Sequence, residues 1–386
     1  MGPDSELAGR PTRVDIDLGC FRRNVQAVLN RLPEKSRLIA VVKADAYGHG
    51  AVQIARECER LGLPMLLVVL VEEGIALRDA GIEMPILVSA ALSSREVLAA
   101  IRHDLTLGVT TTEMLRHVIN HVEDSNIPTK VHIKFDTGMG RLGILAEEIG
   151  DVVTLLASSN LVSIDGYYSH YASSFLADDP LTDEQDVHFA EILETMRGHG
   201  LEAPTHHIAS SAGLARNLVS HGAWVRAGLS LYGCEPVEGS GSRLEPVMRW
   251  STRVASIKDF PTGHRVGYGR TFTTACPSRI AVIPVGYADG YDRRFGNNAE
   301  VLIRGRRAPV VGAISMDVVT IDVTDIENAA IGDEVVLIGS QGEDEISADE
   351  LASRIDTIPY EVLCRVGKRV SREHTDASRL TNQTDD

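Results

Sequence analysis

The chain has 386 residues, a net charge of −16 and a hydrophobic content of 44%, enough for two domains with well-filled cores. The acidic balance argues against nucleic acid and anionic membrane surfaces as main partners, since both need basic patches, and no apolar run reaches the roughly 18 residues that span a bilayer. The five cysteines (Cys20, Cys58, Cys234, Cys276, Cys364) are scattered and form no CxxC, which reads as reduced thiols of a cytoplasmic protein and gives no case for a metal site.

Residues 1–12 read as a polar N-terminal extension without the apolar core of a secretory signal. From Asp17, a plausible N-cap, "DLGCFRRNVQAVLNRL" puts Leu18, Phe21, Val25, Val28, Leu29 and Leu32 on one helical face. Short apolar runs then alternate with helix-period segments. The runs are 38–43, 65–70, 85–89, 105–109, 130–135, 162–170, 205–210 and 223–228. Strand alternating with helix demands parallel pairing and right-handed crossovers. Eight such repeats predict a (β/α)8 barrel, a TIM-like α/β fold, over residues 13–245. An open doubly wound sheet would usually carry a Gly-rich first turn, and "KADAYGHG" is not GxGxxG. Beyond 245 the period changes to two, with Gly, Asn and Pro turns, which predicts an all-β domain over 246–376. The polar residues 377–386 read as a disordered tail.

Unusual polar residues fall at the C-terminal ends of the predicted strands, where barrel enzymes build their active sites. The first strand ends in Lys43, followed by Tyr47 and His49. The fifth runs into "KFDTGMGRLG", with Lys134, Asp136 and Arg141. The sixth ends at His170, the seventh at Ser210 and Ser211, and the eighth carries Arg226 and Gly228. The loops after the last two strands suit a phosphate. A lysine at a strand tip beside an apolar wall loses its proton more easily, and a neutral amine attacks carbonyls. Phosphate, carbonyl and lysine together point to pyridoxal phosphate (PLP). The plainer alternative is a lysine paired with Asp45 or another carboxylate.

"VVKADAYGHG" resembles the PLP-lysine signature of the alanine racemase family. "KFDTGMGRLG", "VGYGRTF", "IPVGYADGY", "GAISMD" and "IPYEVLCR" are similar to that family's other blocks, in the same order, so the resemblance covers about residues 13 to 372. It implies a PLP barrel followed by a β-domain. It also implies an isomerase that interconverts L- and D-alanine and supplies D-alanine for peptidoglycan. Lys43 would hold PLP as a Schiff base. Tyr47, Ser211, Gly228 and Leu229 would hold its phosphate, Arg226 would face the pyridine nitrogen, and His170 would lie along the ring. Tyr268 would be a second base, supplied by the partner in a head-to-tail homodimer with shared active sites. Arg141 and the Met316 backbone would meet the substrate carboxylate. Lys134 matches a lysine that is carbamylated in several members. Tyr287, Asp317 and Lys368 would line or support the substrate corridor.

A racemase must take a proton from one face of Cα and return one to the other, so it needs two acid/base groups on opposite faces. Arginine keeps its proton, so Arg226 would leave the ring nitrogen unprotonated and favour proton exchange over transamination. Each residue also has a plainer reading: Tyr268 as a packed aromatic, His170 as a rim histidine, Ser211 as a helix cap, Arg141 as a surface charge, Lys134 as one half of an ion pair. His206 and His207 are adjacent on a strand and point to opposite faces, which argues against a shared metal. Lys368 stands where some members carry tyrosine, which opens the alternative of a broader amino-acid or serine racemase. A non-catalytic PLP carrier would lack the β-domain, and a decarboxylase would need an acidic partner where Arg226 stands.

Overall fold

A computed structural model describes residues 9–376 apart from 178, 221, 238 and 242. The expected tail, 377–386, and residues 1–8 of the expected extension lie outside the described residues. Strand β1 (Arg13–Asp17) leads into helix α1 (Leu18–Leu29), whose Gly19 and Cys20 amides donate to the Asp17 carboxylate at 2.7 and 3.0 Å. Asp17 is therefore the cap that the sequence predicts. Strand and helix then alternate: β2 (Arg37–Val41), α2 (Lys43–Gly48), α3 (Ala51–Arg60), β3 (Met65–Val68), α4 (Val71–Asp79), β4 (Ile86–Val88) and α5 (Ser94–Arg102). Next come β5 (Thr106–Val109), α6 (Thr112–Ser125), β6 (Thr129–Lys134), α7 (Ile149–Leu156), β7 (Val162–Tyr168) and α8 (Pro180–Gly198). The series ends with β8 (Thr205–His207), α9 (Ser211–Ala215) and β9 (Trp224–Ala227).

The eight strands β2 to β9 form one parallel sheet in the order β8-β7-β6-β5-β4-β3-β2-β9. Strands β3, β4 and β5 are buried at every position, as expected of parallel strands covered on both faces. The sheet closes on itself without a full ladder between β8 and β9. Ser210 bridges Arg226, and the Arg226 amide donates to the Ala209 carbonyl at 3.1 Å. This is the expected eight-stranded barrel, and its seam carries Arg226.

Among the described residues, the second unit gathers 9–21, 47–49 and 245–376. Its elements are β10 (Met248–Arg253), β11 (Ser256–Phe260), β12 (Arg265–Val266), β13 (Phe272–Thr273), β14 (Ser278–Ile283), β15 (Glu300–Ile303) and β16 (Arg306–Pro309). They continue with β17 (Val319–Asp322), β18 (Glu334–Gln341), β19 (Asp344–Ile346), α10 (Ala348–Arg354), α11 (Pro359–Cys364) and β20 (Ser371–Thr375). One sheet runs β16-β15-β18-β10-β1-β20 with β19 on β18, and another runs β11-β14-β17. Residues 13–17, read from the sequence as the start of the barrel, instead pair antiparallel with β10 and parallel with β20. Their alternation explains it: Val14 and Ile16 are fully buried between half-buried polar residues. Arg10 of the expected extension is also built in, donating to both Asp289 carboxylate oxygens at 2.5 and 2.6 Å.

Candidate active site

Strand β2 delivers Lys43 to the C-terminal end of the barrel, where it is half-buried. The backbone beyond it is unusual. Ala44, Asp45, Ala46 and Tyr47 have φ of 53, 55, 52 and 55°, and Gly48 has 83°. Helix α2 is thus a left-handed turn, which costs a non-glycine residue roughly 1–2 kcal/mol. Local bonds in the barrel hold its first residues: Ala44 N–H donates to Glu73 Oε1 at 2.6 Å, Ala46 N–H to the Val42 carbonyl at 2.9 Å, and Ala51 N–H to Asp45 Oδ1 at 2.8 Å. Strain of this kind persists where the surroundings over-determine it, and it marks functional segments. Tyr47 belongs to the β unit, where it is buried 5.7 Å from the Tyr360 ring. Burial, then Tyr360, push its phenol well above the ordinary tyrosine range.

The barrel seam places Arg226 at the centre of a polar cluster. One terminal nitrogen, Nη1, donates to His207 Nδ1 at 2.6 Å and to the His207 carbonyl at 3.0 Å. The other, Nη2, reaches the Ser169 carbonyl, His170 Nδ1 and the Ile208 carbonyl at 2.9, 2.8 and 2.9 Å. Both imidazoles accept through Nδ1, so each carries its proton on Nε2. His207 Nε2 meets His132 Nδ1 at 2.9 Å, and His132 Nε2 lies 3.6 Å from Asp165. Burial, then the charges of Arg226, Lys134, Arg141 and Lys43, drive the His170 pKa down to about 2. Burial and Arg226 likewise hold His207 well below its usual range. The two histidines are therefore neutral acceptors, and the cluster's charge is the guanidinium.

Lys134 Nζ and Arg226 Cζ each lie 5.7 Å from the centre of the Tyr168 ring, which stacks on His207 at 4.9 Å. Burial, then the charges of Arg226 and Arg141, lower the Lys134 pKa to about 8. Asp136 orders the following loop by accepting from the amides of Gly138, Gly140 and Arg141 at 2.9, 3.1 and 3.0 Å. Partial burial works against its charge, but those amides outweigh it and keep the carboxyl below its usual range. The loop leaves the Arg141 guanidinium exposed. Across the site, Ser211 Oγ accepts from the Gly228 and Ser230 amides at 3.1 and 3.5 Å. Ser210, not Ser211, occupies the N-cap position of helix α9, without a side-chain capping bond.

The barrel unit thus gathers Lys134, Arg141, His170 and Arg226 into one cluster and ties Ser211 to Gly228. The remaining candidates lie in the β unit. Tyr268 sits at the tip of the β12–β13 hairpin and is 75% exposed. Tyr287 and Met316 are partly exposed, and the Tyr287 and Ala288 amides donate to the Ser315 and Met316 carbonyls at 3.1 Å each. Asp317 pairs with Arg369 at 2.7 Å. Lys368 is exposed and makes no ion pair or hydrogen bond among the described residues.

Sequence reading missed the residues behind the site. Gln185 is fully buried and joins the His170 carbonyl to the Ala172 amide at 2.9 Å each. Its signal was a polar residue in phase with buried Phe189, Ile192 and Met196 on helix α8. His132 and Tyr168 gave a weaker signal, as polar positions inside continuous strands.

Two family models match the chain: "Alanine racemase, N-terminal domain" over residues 16–236 and "Alanine racemase, C-terminal domain" over residues 247–374. The chain belongs to the alanine racemase family. The alanine racemase of Symbiobacterium thermophilum is 40% identical over 94% of this chain and 97% of its own. That of Halothermothrix orenii is 38% identical over 95% and 97%. Among solved structures, the Bacillus anthracis alanine racemase with bound L-Ala-P superposes with a TM-score of 0.90 at 33% identity, covering 96% of each chain. The Clostridium difficile enzyme gives 0.90 at 31% identity, covering 96% of this chain and 97% of its own.

The alanine racemase family is PLP-dependent, and the donors left over in the barrel fit that cofactor. Arg226 has both terminal nitrogens committed, while its Nε–H takes no partner among the described residues. That leaves one directed donor for a ring nitrogen. Ser211 uses its oxygen to accept, so its own O–H is left to donate to an anion. Leu229 opens a 3₁₀ turn, and its amide has no acceptor among the described residues.

Proposed function

We propose that the chain is a PLP-dependent isomerase that interconverts L- and D-alanine. The observation that carries this reading is the match to alanine racemases along 94% of the chain at 40% identity. The donor set around Arg226 supports it at the site. In this reading Lys43 would carry the cofactor covalently, and Tyr47, Ser211, Gly228 and Leu229 would hold its phosphate. Arg226 would offer its Nε–H to the ring nitrogen, and His170 would stand beside the cofactor. When bound, PLP supplies an electron-withdrawing system that stabilises negative charge at the substrate Cα.

The rest of the chemistry belongs to side chains of this chain. Lys43 Nζ takes or returns the proton on one face of Cα, and the Tyr268 phenol does so on the other. Arg141 and the Met316 backbone orient the substrate carboxylate, and Lys134, once carbamylated, steadies Arg141 through its new carboxylate. Arg226 keeps its own proton and has neutral histidines for neighbours, so the pyridine end of the site has no group that readily gives a proton up. That arrangement favours reversible proton exchange over transamination.

We read the assembly as a head-to-tail homodimer in the cytoplasm, with D-alanine going to peptidoglycan. Support comes from Tyr268, an aromatic that its own unit leaves 75% exposed. Mixing variants tests the shared site. Lys43→Ala and Tyr268→Phe should each lose activity, and reshuffled mixtures of the two should regain about a quarter of wild-type activity, because half the dimers would then hold one intact site. No recovery after proven subunit exchange would refute sharing. A broader substrate range is the second reading, favoured by Lys368, whose ammonium is exposed and unpaired among the described residues.

A further inference from the structure

We propose that Asn297 is a positioning residue for Tyr268 and so governs one of the two proton transfers. The proposal rests on the reading of Tyr268 as a base. Hairpin β12–β13 is anchored at its root, where Val266 and Phe272 pack with Ile280 and Val311. Its tip is not anchored by burial. Gly267, Gly269 and Arg270 have φ of 72, 67 and 52°, and the tip's own bond runs from Arg270 N–H to the Gly267 carbonyl at 3.2 Å. A phenol on such a tip has no apolar packing to aim it.

Asn297 supplies the missing constraint from outside the hairpin. Its Nδ2–H donates to Thr271 Oγ1 at 3.1 Å, and its Oδ1 accepts the Gly312 amide at 2.6 Å. Among the described residues, this is the one side-chain hydrogen bond made to residues 267–271. Asn297 holds a left-handed φ of 57°, which asparagine tolerates better than most residues. Gly312 lies against the hairpin: a Cβ there would sit 3.3 Å from the Val266 carbonyl oxygen. The chain then runs on to Ser315 and Met316, whose carbonyls hold the Tyr287 and Ala288 amides. One carboxamide therefore ties the segment carrying Tyr268 to the segment carrying Met316. Both halves of the amide are used, so neither aspartate nor a hydroxyl can replace it fully.

The test reads the two proton transfers separately, as wash-in of deuterium at Cα from D₂O with L- and with D-alanine on the holoenzyme. Tyr268→Phe should abolish exchange from one enantiomer and leave the other. Asn297→Gly removes the amide while keeping the left-handed backbone comfortable. It should slow that same exchange about tenfold, since small misplacements of a reacting group cost this much or more, and leave the other within about twofold. Thr271→Val should reproduce the effect, and the double variant should add little, as expected of two partners in one bond. Asn297→Asp, which keeps the acceptor and loses the donor, should fall between Asn297→Gly and wild type. Equal slowing of both exchanges, independent addition of the two variants, or an Asn297→Gly enzyme that exchanges like wild type would overturn the proposal. If Tyr268→Phe leaves both exchanges intact, the base assignment fails and the proposal falls with it.

Discussion

Acidifying the protein from pH 7.5 to 5.5 should destabilise the barrel by at least about 3 kcal/mol, chiefly through His170 and His207, with His206, also lowered by burial, adding in the same direction. His170 and His207 both give Nδ1 to Arg226, at 2.8 and 2.6 Å, so neither can take a proton there without losing that bond. Burial, then Arg226, places His170 at about 2 and holds His207 well below its ordinary value. In the unfolded chain both titrate near ~6.5. Below that pH the unfolded chain binds protons that the folded one refuses, so stability is flat above about 6.5 and falls as pH drops through it. One unit below, each histidine contributes about 1.4 kcal/mol, and two give about 3. Asp136 and Asp165 are held below their usual range, so their contributions are lost at lower pH, outside this window. The assay is the urea midpoint of the apoprotein at constant m-value. A midpoint that stays flat to pH 5.5 would mean that the buried imidazoles take up protons in the folded state. Arg226→Met should leave the slope in this window nearly unchanged, because burial, the larger cause, still keeps both imidazoles neutral.

Other consequences follow from single groups. Lys134, titrating at about 8, has a substantial neutral fraction near neutral pH, so ¹³C-bicarbonate should give a carbamate resonance that Lys134→Ala removes; a spectrum without one would exclude the modification. Ser211→Ala deletes a spare O–H donor and should weaken PLP binding to the apoprotein about 10- to 100-fold, read by fluorescence titration, and an unchanged affinity would take Ser211 out of the phosphate site. Gly143→Ala combines a φ of 140° with a Cβ 2.4 Å from the Asp136 amide nitrogen, so it should dislodge the loop carrying Arg141 and raise the KM for alanine at least about tenfold.

The barrel was legible because parallel strands covered on both faces must be written as unbroken apolar runs, and "LIAVV" or "MLLVV" cannot be written otherwise. Strand Arg13–Asp17 was not legible in the same way, since five residues with only two apolar positions carry little information. Lys43 and Arg226 stood out as charges at the ends of apolar strands. The left-handed turn after Lys43 did not, because Ala44 to Tyr47 include no glycine and no residue preference announces that backbone. It is held by tertiary partners such as Glu73, which lies 29 positions from Ala44. Asn297 was hidden for a related reason: its two bonds reach 26 and 15 positions along the chain, and "GNN" reads only as a turn.

The decisive measurement of alanine racemisation is chiral chromatography of L-alanine, L-serine and L-lysine, each incubated with the purified protein and PLP. Rapid formation of D-alanine with little D-serine or D-lysine is expected. Comparable conversion of serine or lysine would favour the broader racemase and make Lys368 the first residue to mutate, and no D-amino acid from any of the three would rule out alanine racemisation by this chain.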